Sequence, residues 1–163
     1  MIGHPMSLES VINSAATLYH RVVFLIGIES DGRSDALTAL SGKHGWPVIN
    51  LGTAFSQQLL DVPHRHRATS APQILADLLD GTGGDTLLLD HVEVLFAPDL
   101  AQDPVKLFQG LSRNRTLVVS WPGMHDGATL IYGEPSHPEY YRQPVVDLVT
   151  VDLSDAEQAT QLE

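Results

Sequence analysis

Eight residues near the amino end, Gly27-Ile28-Glu29-Ser30-Asp31-Gly32-Arg33-Ser34, carry the spacing G-x-x-x-x-G-[K/R]-S, with arginine where a phosphate-binding P-loop has lysine. The chemistry served by that spacing is specific. Glycines let backbone N–H groups close around a phosphate, the following helix turns its positive end toward the anion, and the Ser34 hydroxyl can ligate Mg²⁺. With Asp35 behind them, these residues form the candidate nucleotide-binding set. Arginine is not a neutral replacement, because a planar guanidinium is bulkier than an ammonium and prefers forked contacts. The loop is also acidic: Glu29, Asp31 and Asp35 surround the single Arg33, so an anion here needs Mg²⁺ or a partner's arginine to offset like charge. The plain alternative is a glycine-bounded strand-to-helix turn with an arginine in the first helical turn.

A second group lies about sixty residues on, at a spacing that suits a P-loop domain. Thr86 to Asp90 (TLLLD), followed by His91, Val92 and Glu93, reads as a hydrophobic strand ending in Asp with Glu three residues later. In that arrangement Asp90 organises a Mg²⁺ shell together with Ser34, and Glu93 polarises the attacking water. An N-cap Asp and a solvated Glu are the alternative. Ser120 closes a further apolar run, where a P-loop domain with an inserted strand places a polar sensor, so Glu93, Arg33 and Ser120 are the catalytic candidates. Arg113 and Arg115 sit at the opposite end of that run. They are either solvated loop charges or arginines reaching a neighbouring subunit's nucleotide in trans.

The elements that must position these groups follow from hydrophobic periodicity. Leu8, Val11, Ile12, Ala15, Leu18 and Tyr19 share one helical face, predicting a helix over 7–20 with Ser7 as N-cap. Residues 21–26 (RVVFLI) read as a strand covered on both faces, then 33–41 as a helix stopped by Gly42. Residues 48–51 make a short strand and 53–61 a short helix. After the basic loop at 63–67, Ser70 and Pro72 open a helix ending at the glycines of GTGG. Strands at 85–90 and 116–121 flank a helix at 104–111; two more, ATLIY and VVDLVTV, are separated by a Pro/His/Tyr-rich loop. Strands alternating with helices predict an α/β domain whose mainly parallel five-stranded sheet binds ligands at its carboxyl ends. One domain over 1–151, without a separate lid, is expected, with an acidic, frayed tail over 152–163.

Composition narrows the chemistry further. The 163 residues contain no cysteine, which removes thiolate metal sites, disulfides and cysteine nucleophiles. A formal charge of -11 sets the mean field against a phosphate backbone, leaving DNA contact only to a local patch such as Arg65, Arg67, Arg113 and Arg115. His64 and His66 lack an evident third ligand and read as a solvated basic loop. Neither a secretory leader nor a membrane-length apolar run is evident, so a cytoplasmic location is expected.

The segment LLLDHVEVLFAPDLAQDPVKLFQGLSRNRTLVVSWPG and the following LIYGEPSHPEYYR, with the glycine loop ahead of them, resemble the BrxF family of type 3 BREX bacteriophage-exclusion systems. The resemblance spans most of residues 20–150, and its specific part runs from Asp90 to Gly123. It implies a P-loop NTPase-like three-layer domain of the additional-strand type. It further implies an ATPase-like domain, with ATP and Mg²⁺ as ligands, working beside other BREX components, among them a larger P-loop ATPase. Because the chain lacks room for a helical lid over the nucleotide, self-association or docking on that larger ATPase is expected. The residues carried over are Gly27, Gly32, Arg33, Ser34, Asp90 and Glu93. A degenerate P-loop adaptor or assembly subunit, without nucleotide turnover, is the competing expectation.

Overall fold

Short, continuous apolar runs dictate strands buried on both faces, and the computed structural model, which describes residues 7–154, places them at the centre of a three-layer α/β domain. In chain order the elements are α1 (Leu8–Ala15), β1 (Val22–Ile26), α2 (Ser30–His44), β2 (Val48–Asn50), α3 (Leu51–Leu59) and α4 (Arg67–Thr82). They continue with β3 (Thr86–Asp90), α5 (Pro104–Leu111), β4 (Thr116–Ser120), β5 (Met124–His125), β6 (Thr129–Tyr132), β7 (Tyr141–Pro144) and β8 (Val149–Asp152).

The main sheet has the order β2-β3-β4-β1-β8 with every pairing parallel, so β4 is inserted between β1 and β3. Side-chain alternation divides the core. Phe24, Leu87, Leu89, Leu117 and Val119 face a large cluster with Phe55, Leu75 and Phe108 from α3, α4 and α5. Val23, Leu25, Leu88 and Val118 face a smaller one with Ile12, Leu37 and Leu40 from α1 and α2. Among the described residues, no helix is long and apolar enough to cross a membrane.

Helix ends depart from the sequence expectation for local reasons. α1 stops at Ala15, short of residue 20, because the next amides tighten onto carbonyls three residues back and Thr17 Oγ1 bonds Ser14 O. Leu18 and Tyr19 are consequently exposed. α2 runs through Gly42 and ends instead at Gly45, which takes the left-handed conformation (φ 73°) at the C-cap. α4 begins at Arg67 and carries Pro72 inside it. The carbonyl of Ala68, deprived of its usual helical donor by that proline, accepts instead from Gln102 Nε2 at 2.8 Å.

β5, β6 and β7 form a second, antiparallel sheet that the sequence reading leaves largely as loop. An aromatic joint fastens it. Phe96 stacks on Tyr132 with ring centres 4.1 Å apart and meets Trp121 and Tyr141 edge-on. Trp121 Nε1 donates to the carbonyls of Met124 and Ile131. Asp152, assigned by sequence to a frayed tail, closes β8, with Leu153 buried beyond it; residues 155–163 of that segment lie outside the described residues.

The two glycines near the end of α2 make separable predictions. Gly42→Ala fills open space in a helix interior and should raise unfolding stability in urea by about 0.5–1 kcal/mol. Gly45→Ala, forced to hold a positive φ, should lower it by about 1 kcal/mol. A reversed order would place the helix end at Gly42.

Candidate functional site

Parallel strands bring their carboxyl ends to one edge of the sheet, and here β1, β4 and β3 deliver Gly27, Ser120 and Asp90 side by side beneath the start of α2. The turn from β1 into α2 is only three residues long, Gly27 to Glu29. Gly27 and Ile28 both take positive φ, 76° and 40°. At Gly27 this is demanded by space as well, since a Cβ there would lie 2.1 Å from Asp152 Oδ1. At Ile28 a β-branched residue bears the strain.

Because α2 begins at Ser30, the expected nucleotide-binding set divides. Gly27, Ile28 and Glu29 form the turn, whereas Ser30, Asp31, Gly32, Arg33, Ser34 and Asp35 belong to the helix. The Ile28 side chain folds over Gly32, where a Cβ would meet its Cδ1 at 2.6 Å. Glu29, Ser30, Asp31 and Asp35 face solvent.

Arg33 occupies the interior. It is 5% exposed, and its Nε donates to Ser120 Oγ at 2.9 Å while Nη1 donates to the carbonyls of Ile28 (2.9 Å) and Gly27 (3.3 Å). The turn therefore presents carbonyl oxygens to a cation instead of amides to an anion. Its Ile28 amide is engaged elsewhere, donating to Ser154 Oγ, whose residue is held in turn by Asp152. Burial pulls the guanidinium down from its ordinary value, and the neighbouring carboxylates of Asp90 and Glu93 pull it back up. It stays charged, as arginine does throughout the physiological range.

One residue further along α2, Ser34 Oγ donates to Asp90 Oδ2 at 2.6 Å. The other carboxylate oxygen accepts the amide of His91, which holds a left-handed conformation. The His91 ring lies between two acids, with Nε2 3.7 Å from Asp90 Oδ2 and Nδ1 3.9 Å from Glu93 Oε2. Glu93 is half-exposed at the start of a short turn of 3-10 helix.

The arginines at the far end of β4 do not join this cluster within one chain. Arg113 is exposed over the Tyr19 ring, and Arg115 is paired with Asp80. Nor do the four arginines considered for DNA gather into one patch. Arg67 opens α4 and bonds the Val62 carbonyl, while Asp80, holding Arg115, lies thirteen residues down the same helix, about 20 Å away.

Sequence spacing finds the residues of this cluster but not the contact between Arg33 and Ser120. The only sequence signal was a cation type at a position otherwise occupied by lysine. No family model, curated protein or solved structure matches the chain.

The donors suit Mg²⁺ and a triphosphate unequally. Ser34 Oγ and the Asp90 carboxylate are hard oxygens of the kind Mg²⁺ takes in combination with substrate phosphates. For a triphosphate the turn is poorly arranged, since its Gly27 and Ile28 carbonyls are aimed at Arg33 and its Ile28 amide is given to Ser154, which leaves the first-turn amides of α2 as the donors for an anion.

If Arg33 and Ser120 act as a unit, Arg33→Met and Ser120→Ala should be non-additive. Each leaves a buried polar group without its partner, costing about 1–3 kcal/mol. The double variant should recover at least about 0.5 kcal/mol of the summed loss in urea unfolding. Strict additivity would mean the 2.9 Å contact carries no energy.

Proposed function

We propose that this chain is a P-loop-type subunit of a BREX phage-defence system that works as an adaptor or assembly domain without nucleotide turnover. Two observations support the P-loop part of that reading. β4 is inserted between β1 and β3, as the additional-strand class requires, and Ser34 and Asp90, from the glycine-loop motif and the strand-end acid, are in hydrogen-bond contact. The defence setting rests on the resemblance carried by residues 90–123.

The observation that carries the adaptor reading is Arg33. A P-loop works by surrounding a phosphate with amides, whereas here two turn carbonyls and Ser120 satisfy a buried guanidinium, which is the opposite hydrogen-bond polarity. A second reading, Mg-ATP binding, is favoured by the Ser34–Asp90 pair and by Glu93 beside it. It requires the turn to swing its carbonyls away from Arg33 so that amides face the phosphate.

Calorimetry with Mg-ATP separates the two. For the adaptor, titration to millimolar nucleotide should give no saturable heat, with Ser34→Ala and Asp90→Ala indistinguishable from the wild type. Saturable binding lost in both variants would overturn it in favour of the second reading. The defence setting is tested by deleting the gene from its own locus: phage plating should rise, and plating that stays unchanged would remove the BREX assignment.

A further inference from the structure

Beyond the Arg33 cluster, the chain has a cavity of about 130 Å³ between the turns that follow β3 and the connection from β6 to β7. Its size suits a single long side chain, well below the roughly 300–1,000 Å³ of small-molecule pockets. Phe96, Pro98, Gln102, Pro104, Glu139 and Tyr140 are among the residues that line it.

Several backbone donors of the lining are missing or already committed. Pro98, Pro104 and Pro138 have no N–H. The amides of Ala97, Ala101 and Tyr140 are already given to the carbonyls of Val94, Pro98 and His137. Gln102 Nε2 serves the carbonyls of Ala68 and Leu100, which leaves its Oε1 as the uncommitted atom of that amide. Tyr141 gives its hydroxyl proton to Asp103 Oδ1 at 2.6 Å, and burial together with that carboxylate pushes its ionisation well above the usual tyrosine range. What remains for an occupant is the Gln102 Oε1, the exposed Glu139 carboxylate, the Tyr140 hydroxyl, the Gln102 and Glu139 amides and aromatic side chains, so the one formal charge in the lining is negative.

We propose that this cavity receives the guanidinium of an arginine side chain presented by a partner protein. Guanidinium supplies five donors in a plane and stacks on aromatic rings, matching the acceptors and the Phe96 and Tyr140 side chains. The occupant comes from a protein because free arginine would bring a carboxylate against Glu139 and Asp103. The overall charge of -11 draws a basic segment toward this surface. The walls are set in advance, since Phe96 is held by Tyr132, Trp121 and Tyr141, and Asp103 joins Tyr141 to the start of α5 by also accepting the Lys106 amide. The proposal is independent of the Arg33 site, for a chain that binds nucleotide and one that does not would behave alike in its test.

That test is an NMR titration of the full chain with N-acetyl-arginine amide, its lysine counterpart and its neutral citrulline counterpart. The arginine probe should give saturable amide shifts centred on Ala101 and Tyr140. Citrulline, lysine and arginine added to Glu139→Gln should each bind at least about fivefold more weakly. Because Glu139 is exposed, that variant keeps the fold, and its unchanged spectrum away from the cavity verifies this. Absence of saturable shifts with the arginine probe overturns the site. Citrulline binding as tightly overturns the role of charge, and lysine binding as tightly overturns the guanidinium.

Discussion

A guanidinium buried at the end of a parallel sheet must have its donors satisfied, and that requirement shapes everything around Arg33. Its bonds to Ser120, Gly27 and Ile28 hold the carboxyl end of β4 against the turn leaving β1. They turn the carbonyls of Gly27 and Ile28 inward, consistent with a turn that takes left-handed backbone at both positions and enters helix already at Ser30. The electrostatic cost of burial is lowered by Asp90 and Glu93 nearby. Ser34, one position along the helix, then falls opposite Asp90.

The sheet was legible in the sequence because each of its central strands is a continuous apolar run, a pattern that has few uses other than a strand covered on both sides. The cluster was legible as residue types in order: Gly27, Ser34, Asp90 and Ser120 do meet at one edge. What could not be read is hydrogen-bond polarity, since G-x-x-x-x-G-R-S is silent on whether amides or carbonyls face inward. The second sheet was hidden for a different reason. β5 has two residues and β7 is the half-exposed YRQP ending in proline, so neither offers an alternation long enough to register.

Two regions of this acidic chain gather oxygen acceptors around a place for a cation. Around the β1 turn those acceptors are met internally by Arg33. In the cavity beside Phe96 the exposed Glu139 carboxylate and the Gln102 Oε1 have no such internal cation, and prolines and local turns remove several of the amides there. The same local chemistry thus produces a closed cation site in one place and an open one in another. The difference lies in whether a helix supplies the cation from within.

The Gly27 turn is fastened by Asp152 and Ser154, and β1 is paired along its length with β8, more than a hundred residues away in the chain. Local helices and the β3–β4 pairing can assemble earlier, but this turn cannot reach its final path until β8 has docked. During synthesis, therefore, the candidate site is completed late, and a ribosome-bound chain lacking β8 would carry an unclamped opening strand whose free edge is available to wrong partners.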